Sequence, residues 1–364
     1  MPIFMDRHDI QGITAKVVAE IHQADLKVQG KYGCKTLTYW FDEKSGLAFC
    51  LIDAPEKEAI IGMHKEAHGG VPNQVINVES NLVQTFLGRI TYPKVPDSSS
   101  EPDLIINETA IRTIMYIEFK RTGIRLSKFR EEKPGKSLND YNELIHQTMK
   151  QRGCRKIKDT DDGYIASFIS GPDALKCAEE ILNNFNEHNR ENPGREIDAA
   201  IGISTGAPVT GNDEFFGETI QQAKRLSYIA GKGEIFVSSS LNILNANKTF
   251  TKTLKPDEEK FLNQLLDITE KYWNRSELNV NDFCKQIGVS KSQLYRKTTS
   301  LTGYSPNEFI REFRLKKALK LIEHRRGNIS EIAFESGFSN PSYFTQCFHK
   351  RFGILPSEYE SFVS

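Results

Sequence analysis

Apolar residues alternate or run together in PIFMDRH, CKTLTYWF, LAFCLIDA and NQVINVE, each about the length of a strand. Between them, GITAKVVAEIHQADLKVQG and EKEAIIGMHKEAHG carry apolar residues at helical spacing. The order βαββαβ over residues 1–90 predicts a ferredoxin-like fold. Residues 91–107, TYPKVPDSSSEPDLIIN, break every period with prolines, serines and scattered acids, and read as a linker. A period returns with IMYIEF as a buried strand, followed by a helical region. CRKIKDTDDGYIASFIS then reads as strand, turn and strand, DALKCAEEILNNFNEH as an amphipathic helix, IDAAIGISTGAPV as a buried strand and GETIQQAKRLSYIA as another helix. Residues 108–245 thus predict an α/β sandwich. A proline and acids at the head of LKPDEEKFLNQLLDITEKYW open a purely helical piece, 256–364. The chain is expected to be a multidomain α+β protein.

The helical piece holds the same motif twice. In 278–302, Val280, Phe283, Ile287, Val289, Leu294 and Leu301 outline two short helices, with Gly288 at the turn and Ser290 placed to cap the second. In 329–353, Ile329, Ile332 and Ala333 precede Gly337 and Phe338. Asn340 then caps a helix that starts at Pro341 and turns Phe344 and Phe348 inward. FIREFRLKKALKLIEHRR joins the two motifs as one long helix. This arrangement, with GFSNPSYFTQCFHKRFGILPSEY, closely resembles the AraC/XylS-type transcription factor domain. The resemblance implies double-stranded DNA as partner, with helices 290–301 and 340–351 in adjacent major-groove segments. Helical spacing then selects Ser292, Gln293, Arg296, Asn340, Ser342, Tyr343 and Gln346 for base or backbone contacts, and Lys297, Lys350 and Arg351 for phosphates.

In the middle piece, DDGYIASF, AIGISTG, FFGETIQQAKRL and GKGEIFVS resemble the class III adenylate and guanylate cyclase catalytic domain. That family holds two divalent metals, Mg²⁺ or Mn²⁺, against a nucleoside triphosphate with two aspartates. Here Asp162 matches the second and Glu118 stands at the first. Gln221 and Arg225 occupy the places of the transition-state asparagine and arginine. Lys158 matches the adenine-reading lysine, and Glu214 its acidic partner. The phosphate turn, FKRTGIRL, is bulkier and more basic than a Gly-rich loop, and Asp161 replaces a glycine. These departures point to a degenerate site kept for dimerisation or nucleotide binding. The alternative is a working adenylate cyclase fused to a DNA-binding domain.

Half of the eight histidines, His8, His22, His64 and His68, lie in the first piece. His64 and His68 are four apart on one helix face, a spacing that lets two imidazoles reach one metal ion. Ordinary hydrogen-bonding histidines remain the competing reading. AFCLIDAPEKEAIIGMHKEAHGGVPNQVINVE resembles a small family of nickel-binding ferredoxin-like proteins of bacteria. That resemblance supports His64 and His68, adds His8 and Asp6 as ligand candidates, and implies Ni²⁺ or another divalent transition metal. His22 is the weaker candidate, and Cys34 and Cys50 read as core.

Composition narrows the setting. Of 364 residues, 38% are hydrophobic and 26% charged, and Lys+Arg equals Asp+Glu at 48, so any attraction to nucleic acid is local to the last domain. Six scattered cysteines suit a reducing cytoplasm. The N-terminus carries no leader-like pattern and no apolar run reaches membrane-spanning length. The expectation is a cytoplasmic, homodimeric transcriptional regulator that senses a metal or small-molecule effector, with RNA polymerase as a possible further partner.

Overall fold

The computed structural model describes residues 1–93, 105–120, 135–152, 154, 157–160, 163–193, 197–241, 250–324 and 326–363. The protein has the α+β architecture expected, with two sheets and a helical C-terminal part. It falls into two compact units. One holds Met1–Tyr116, Gly153–Leu175 and Ile203–Ala223, and the other Ile117–Arg152, Lys176–Gly202 and Lys224–Ser364.

The first unit begins with β1 (Ile3–Asp9), α1 (Ala15–Val28), β2 (Lys35–Asp42), β3 (Leu47–Asp53), α2 (Lys57–His68) and β4 (Gln74–Val78). The strand order β2-β3-β1-β4, antiparallel throughout, is the ferredoxin-like topology. The strands are apolar on both faces because both are covered. Phe4, Tyr39, Phe41, Cys50 and Ile52 pack with Val18, Ile60 and Met63 of the two helices. Met5, Trp40, Phe49, Leu51 and Ile76 face the other way, into a core shared with Ile114, Tyr116, Ile165, Val209 and Phe216. An added helix, α3 (Ser80–Leu87), closes that second core with Val83, Phe86 and Leu87. Both ends of the proline-rich stretch are held here. Tyr92 and Ile106 pack on the helix-covered core, and the Ile106 amide donates to the Tyr39 hydroxyl at 3.2 Å.

The second sheet adds β5 (Arg112–Lys120), β6 (Ile157–Thr160), β7 (Gly163–Phe168), β8 (Asp198–Gly206), β9 (Ile235–Val237) and β10 (Thr251–Thr253), in the order β10-β9-β8-β5-β7-β6. Its helices are α4 (Gly135–Gln151), α5 (Gly171–Glu191) and α6 (Gly217–Ile229). β6 and β7 form the strand–turn–strand expected, in antiparallel register from Ile157↔Ala166 to Thr160↔Gly163.

The rest is helical: α7 (Pro256–Tyr272), α8 (Val280–Ile287), α9 (Lys291–Thr302), α10 (Pro306–Glu323), α11 (Ile329–Glu335), α12 (Pro341–Phe352) and α13 (Pro356–Val363). Sequence sets the boundaries locally. Asn279, Ser290, Ser305 and Asn328 each cap a helix and are answered by Asp282, Gln293, Glu308 and Glu331 three residues on, which satisfies otherwise orphaned amides. The long α10 joins two cores by using two faces. Phe309, Ile310 and Phe313 pack with α7–α9, while Leu315, Ala318 and Ile322 pack with α11–α13. At the second turn, Gly337 has φ +78, and a Cβ there would lie 2.6 Å from the Trp273 carbonyl, so glycine is required twice over.

Candidate metal centre and candidate nucleic-acid interface

The pleat of β1 directs Asp6 and His8 to the helix-covered face, and α2 lowers His64 and His68 onto the same place. His64 is 1% exposed and touches carboxylates with both ring nitrogens: Nε2 lies 2.8 Å from Asp6 Oδ2, and Nδ1 lies 2.9 Å from Asp25 Oδ1. His8 Nε2 is 3.4 Å from Asp6, and His68 Nε2 is 3.3 Å from Asp25 and 3.2 Å from His64 Nδ1. All four sequence candidates therefore meet in one cluster, as two triads sharing His64: Asp6–His8–His64 and Asp25–His64–His68.

Asp25 is the member that sequence reasoning missed. It stands on the buried stripe of α1, with Ala15, Val18, Ala19 and His22. An acid on an otherwise apolar helix face, three residues after a histidine, was the available signal. His22 itself is buried, hydrogen-bonded through Nε2 to the Tyr92 hydroxyl, and leaves Nδ1 without a partner.

Charge is concentrated here in a largely buried setting. Burial alone would push the Asp6 carboxyl up, but the imidazoles of His8 and His64 hold it well below the usual carboxylate range. Burial likewise opposes ionisation of Asp25, and hydrogen bonds from His64 and His68 overcome it. Burial should lower His64, yet Asp25 and Asp6 together raise it to about 10, so it is an imidazolium between two carboxylates. Burial lowers His22 to about 4, which keeps it neutral. Imidazole and carboxylate donors gathered within 4.8 Å suit nickel, zinc or copper, and a divalent ion would replace the positive charge that His64 now supplies. The residues present thus fit such an ion.

The cluster forms one wall of a cavity of about 350 Å³. Its lining runs from exposed Asp9, Val71 and Asn73 inward to buried Val18, Tyr39 and Cys50.

The cyclase-like positions differ. The Glu118 side chain is 16% exposed and accepts from Lys120 at 3.0 Å and from Lys316 of α10 at 3.2 Å. Burial would raise its carboxyl, but the two ammonium groups bring it down to about 2. Burial lowers Lys120 to about 7 despite Glu118, and its Nζ also donates to the Ser227 and Tyr228 carbonyls. Lys316 Nζ stands 3.9 Å from the centre of the Tyr228 ring. Arg225 is buried and donates to Asp267 at 2.5 Å, Glu270 at 2.7 Å and Asn263 at 3.2 Å, all on α7. Glu214 and Gln221 are exposed. Asp161, Asp162 and FKRTGIRL from Arg121 onward lie outside the described residues, as does the Lys158 side chain.

On the second helix of each helix-turn-helix unit, Ser292, Gln293 and Arg296 of α9 and Ser342, Tyr343, Gln346 and Lys350 of α12 are exposed, opposite Leu294, Thr298 and Leu301 and opposite Phe344 and Phe348. Some of these groups already have work inside the chain. The Gln293 carbonyl oxygen accepts from the Ser290 amide, and Asn340 accepts from the amides of Ser342 and Tyr343. Lys297 lies over the Phe261 ring, and Arg351 is ion-paired to Glu312 of α10.

These features define a protein of three kinds of part: a ferredoxin-like domain with an imidazole–carboxylate cluster, a six-stranded α/β domain and a double helix-turn-helix. Residues 283–361 match the family model "Helix-turn-helix domain", and residues 4–78 match "Nickel responsive protein SCO4226-like". Histidine kinase P4 of Formosa agariphila is 38% identical over 109 residues, 30% of this chain and 8% of that protein. The transcriptional activator RhaR of Escherichia coli is 24% identical over 160 residues, 44% of this chain and 55% of that one. The chain thus spans a small part to about half of these relatives. An adenylate/guanylate cyclase/hydrolase structure from Silicibacter pomeroyi is 27% identical, with a TM-score of 0.30, over 34% of this chain and 73% of that one.

Proposed function

We propose that the protein is a sequence-specific DNA-binding transcriptional regulator whose N-terminal domain senses a divalent transition metal. The observation that carries this reading is the pairing, in one chain, of two helix-turn-helix units with exposed polar faces on α9 and α12 and a largely buried cluster of three histidines and two aspartates. The helix-turn-helix match and the activator among its relatives support the DNA-binding half, and the nickel-responsive family match supports the sensing half.

Asp25, His64 and His68 would hold the ion from the cavity side, with Asp6 accepting from the far nitrogen of His64 and fixing its tautomer. The ion supplies a compact positive charge in place of a proton. The protein's own part is to exclude water around Asp6 and to hold three helix-borne donors in register.

For the middle domain we propose a non-catalytic role as a base for the DNA-binding helices and as a dimerisation module. Glu118 bound by two lysines and Arg225 bound by two carboxylates leave neither group free for a metal–triphosphate. The test is to select binding sites from random-sequence DNA, then measure affinity for them with metal-stripped and nickel-loaded protein. Coupling of the ordinary size would change affinity by about 5- to 150-fold. Equal affinities with nickel demonstrably bound would end the sensing reading, and failure to select any sequence would end the DNA-binding one.

A further inference from the structure

We infer that the cavity beside the histidine–aspartate cluster binds a metal ion together with a small organic chelator that has an apolar flank. This rests on the metal-sensing reading above and specifies what the sensed species is.

The first argument is room. A water molecule takes about 30 Å³ of liquid, so a cavity of about 350 Å³ exceeds a bare ion and its inner waters several-fold. It falls instead within the range of small-molecule pockets, roughly 300–1,000 Å³.

The second is the character of the walls. His8, Asp25, His64 and His68 present donor groups on one side. Ile10, Val18, Ile21, Ala48 and Val71 and the ring of Tyr39 give the lining an apolar flank that a hydrated ion has no use for, while Asp9 and Asn73 stand at the exposed mouth. A ligand with donor atoms at one end and a hydrocarbon group at the other matches both sides.

The third is the donor count. Each triad offers three protein donors, while nickel, zinc and copper take about four or more, so positions remain open on any ion held there. His68, on the cavity wall, is the half-open member of the Asp25 triad, which directs the unfilled positions toward the cavity.

The fourth is an unmet group. His22 lines the same cavity, is 4% exposed, and its Nδ1 has no partner. A buried unpaired polar atom costs about 1–3 kcal/mol unless a ligand or ordered water answers it.

The chemical class is therefore a small bidentate N,O or O,O chelator with an aliphatic or aromatic side group, of the size of an α-amino acid or α-hydroxy acid. Equilibrium dialysis of the full-length protein with nickel(II) chloride tests this. Isotopically labelled leucine is used in one arm and labelled 2-hydroxy-4-methylpentanoate in the other, with nickel measured separately.

The expected result is about one labelled chelator per chain, retained only when nickel is present. Ile21→Trp, which fills the apolar side, should keep nickel and lower chelator retention by about tenfold or more. Val71→Trp at the exposed mouth is the second variant, should Ile21→Trp fail to fold. Retention of leucine alone or of the hydroxy acid alone supports the inference and identifies the donor pair.

Nickel retained with neither chelator overturns the inference and leaves metal sensing standing. Chelator retained without nickel, or unaffected by both variants, also overturns it. Failure to retain nickel at all removes the metal reading and this inference with it.

Discussion

Two buried polar clusters in this chain are made of similar material and arrive at opposite states. Around His64, a cation sits between two carboxylates, with further imidazoles alongside and a cavity at the edge. Around Glu118, a carboxylate sits between two ammonium groups, with backbone carbonyls and an aromatic ring completing their contacts. The first keeps donors facing open space. The second, like Arg225 with its two acids, is closed by side chains of α7 and α10. Resemblance to a known site tells which residue types are present, whereas their partners decide whether anything else can bind.

The largest expected effect comes from breaking the open cluster. His64→Ala would leave Asp6 and Asp25 buried without their shared cation, and removing one member of a buried ionic set costs about 3–5 kcal/mol. The two tryptophans separate the regions: Trp40 is buried in the N-terminal sheet and Trp273 follows α7. In a Trp273→Phe background, denaturant unfolding followed by Trp40 should show the loss, and an unchanged midpoint would refute the bridging role.

Arg225→Ala should cost less, about 1–3 kcal/mol, because the Asp267 and Glu270 it releases are 65% and 39% exposed and regain water. The fall should appear in the Trp273 signal with Trp40 replaced by Phe. A larger fall in the Trp40 signal would mean that the closed cluster serves the wrong region.

Acidity sharpens the contrast, since the two clusters respond to pH with opposite sign. His64 is raised from 6.5 to about 10, so its contribution is complete below pH 6.5 and fades as pH climbs to about 10. Lys120 is lowered from 10.5 to about 7, so the unfolded chain holds more protons between those values and stability there rises with pH. Glu118, lowered from 4.5 to about 2, contributes above pH 4.5 and loses that contribution as pH falls toward 2. Between pH 7 and 10 the Trp40-reported midpoint of metal-free protein should fall while the Trp273-reported one rises. Parallel drift of both would contradict the assignment.

On the proposed DNA-contacting helices the effects fall on binding and not on stability, except at Arg351. Arg296→Ala or Tyr343→Ala should weaken binding to a selected site by about 1–3 kcal/mol and relax one position of it. Lys350→Ala should weaken all sequences alike and reduce the salt slope by about one. Arg351→Ala should lower stability through Glu312 while leaving that slope nearly unchanged.

Much of the architecture was legible in the sequence because its signals are local. Two-sided apolar strands, capping boxes and the positive φ at Gly337 each show in a few neighbouring residues, although the Trp273 carbonyl that also excludes a Cβ at 337 does not. The short α3 was not legible: its eight residues lie between the last strand pattern and the proline-rich stretch, too few to show a helical period, and no element was expected there. The candidate centre was half legible. The i, i+4 histidines declare themselves, but Asp25 joins them across 39 residues through the packing of α1 on α2. The engagement of Glu118 by Lys316, 198 residues away, and of Arg351 by Glu312 depends on tertiary packing that no local pattern encodes.

The most direct test of the central claim is nickel stoichiometry of the full-length protein, measured in parallel for the parent, His64→Ala and Glu118→Gln. The account predicts that the parent and Glu118→Gln retain the same nickel and that His64→Ala retains none. Undiminished nickel in His64→Ala, or its loss in Glu118→Gln, would place the metal in the wrong cluster and contradict the account.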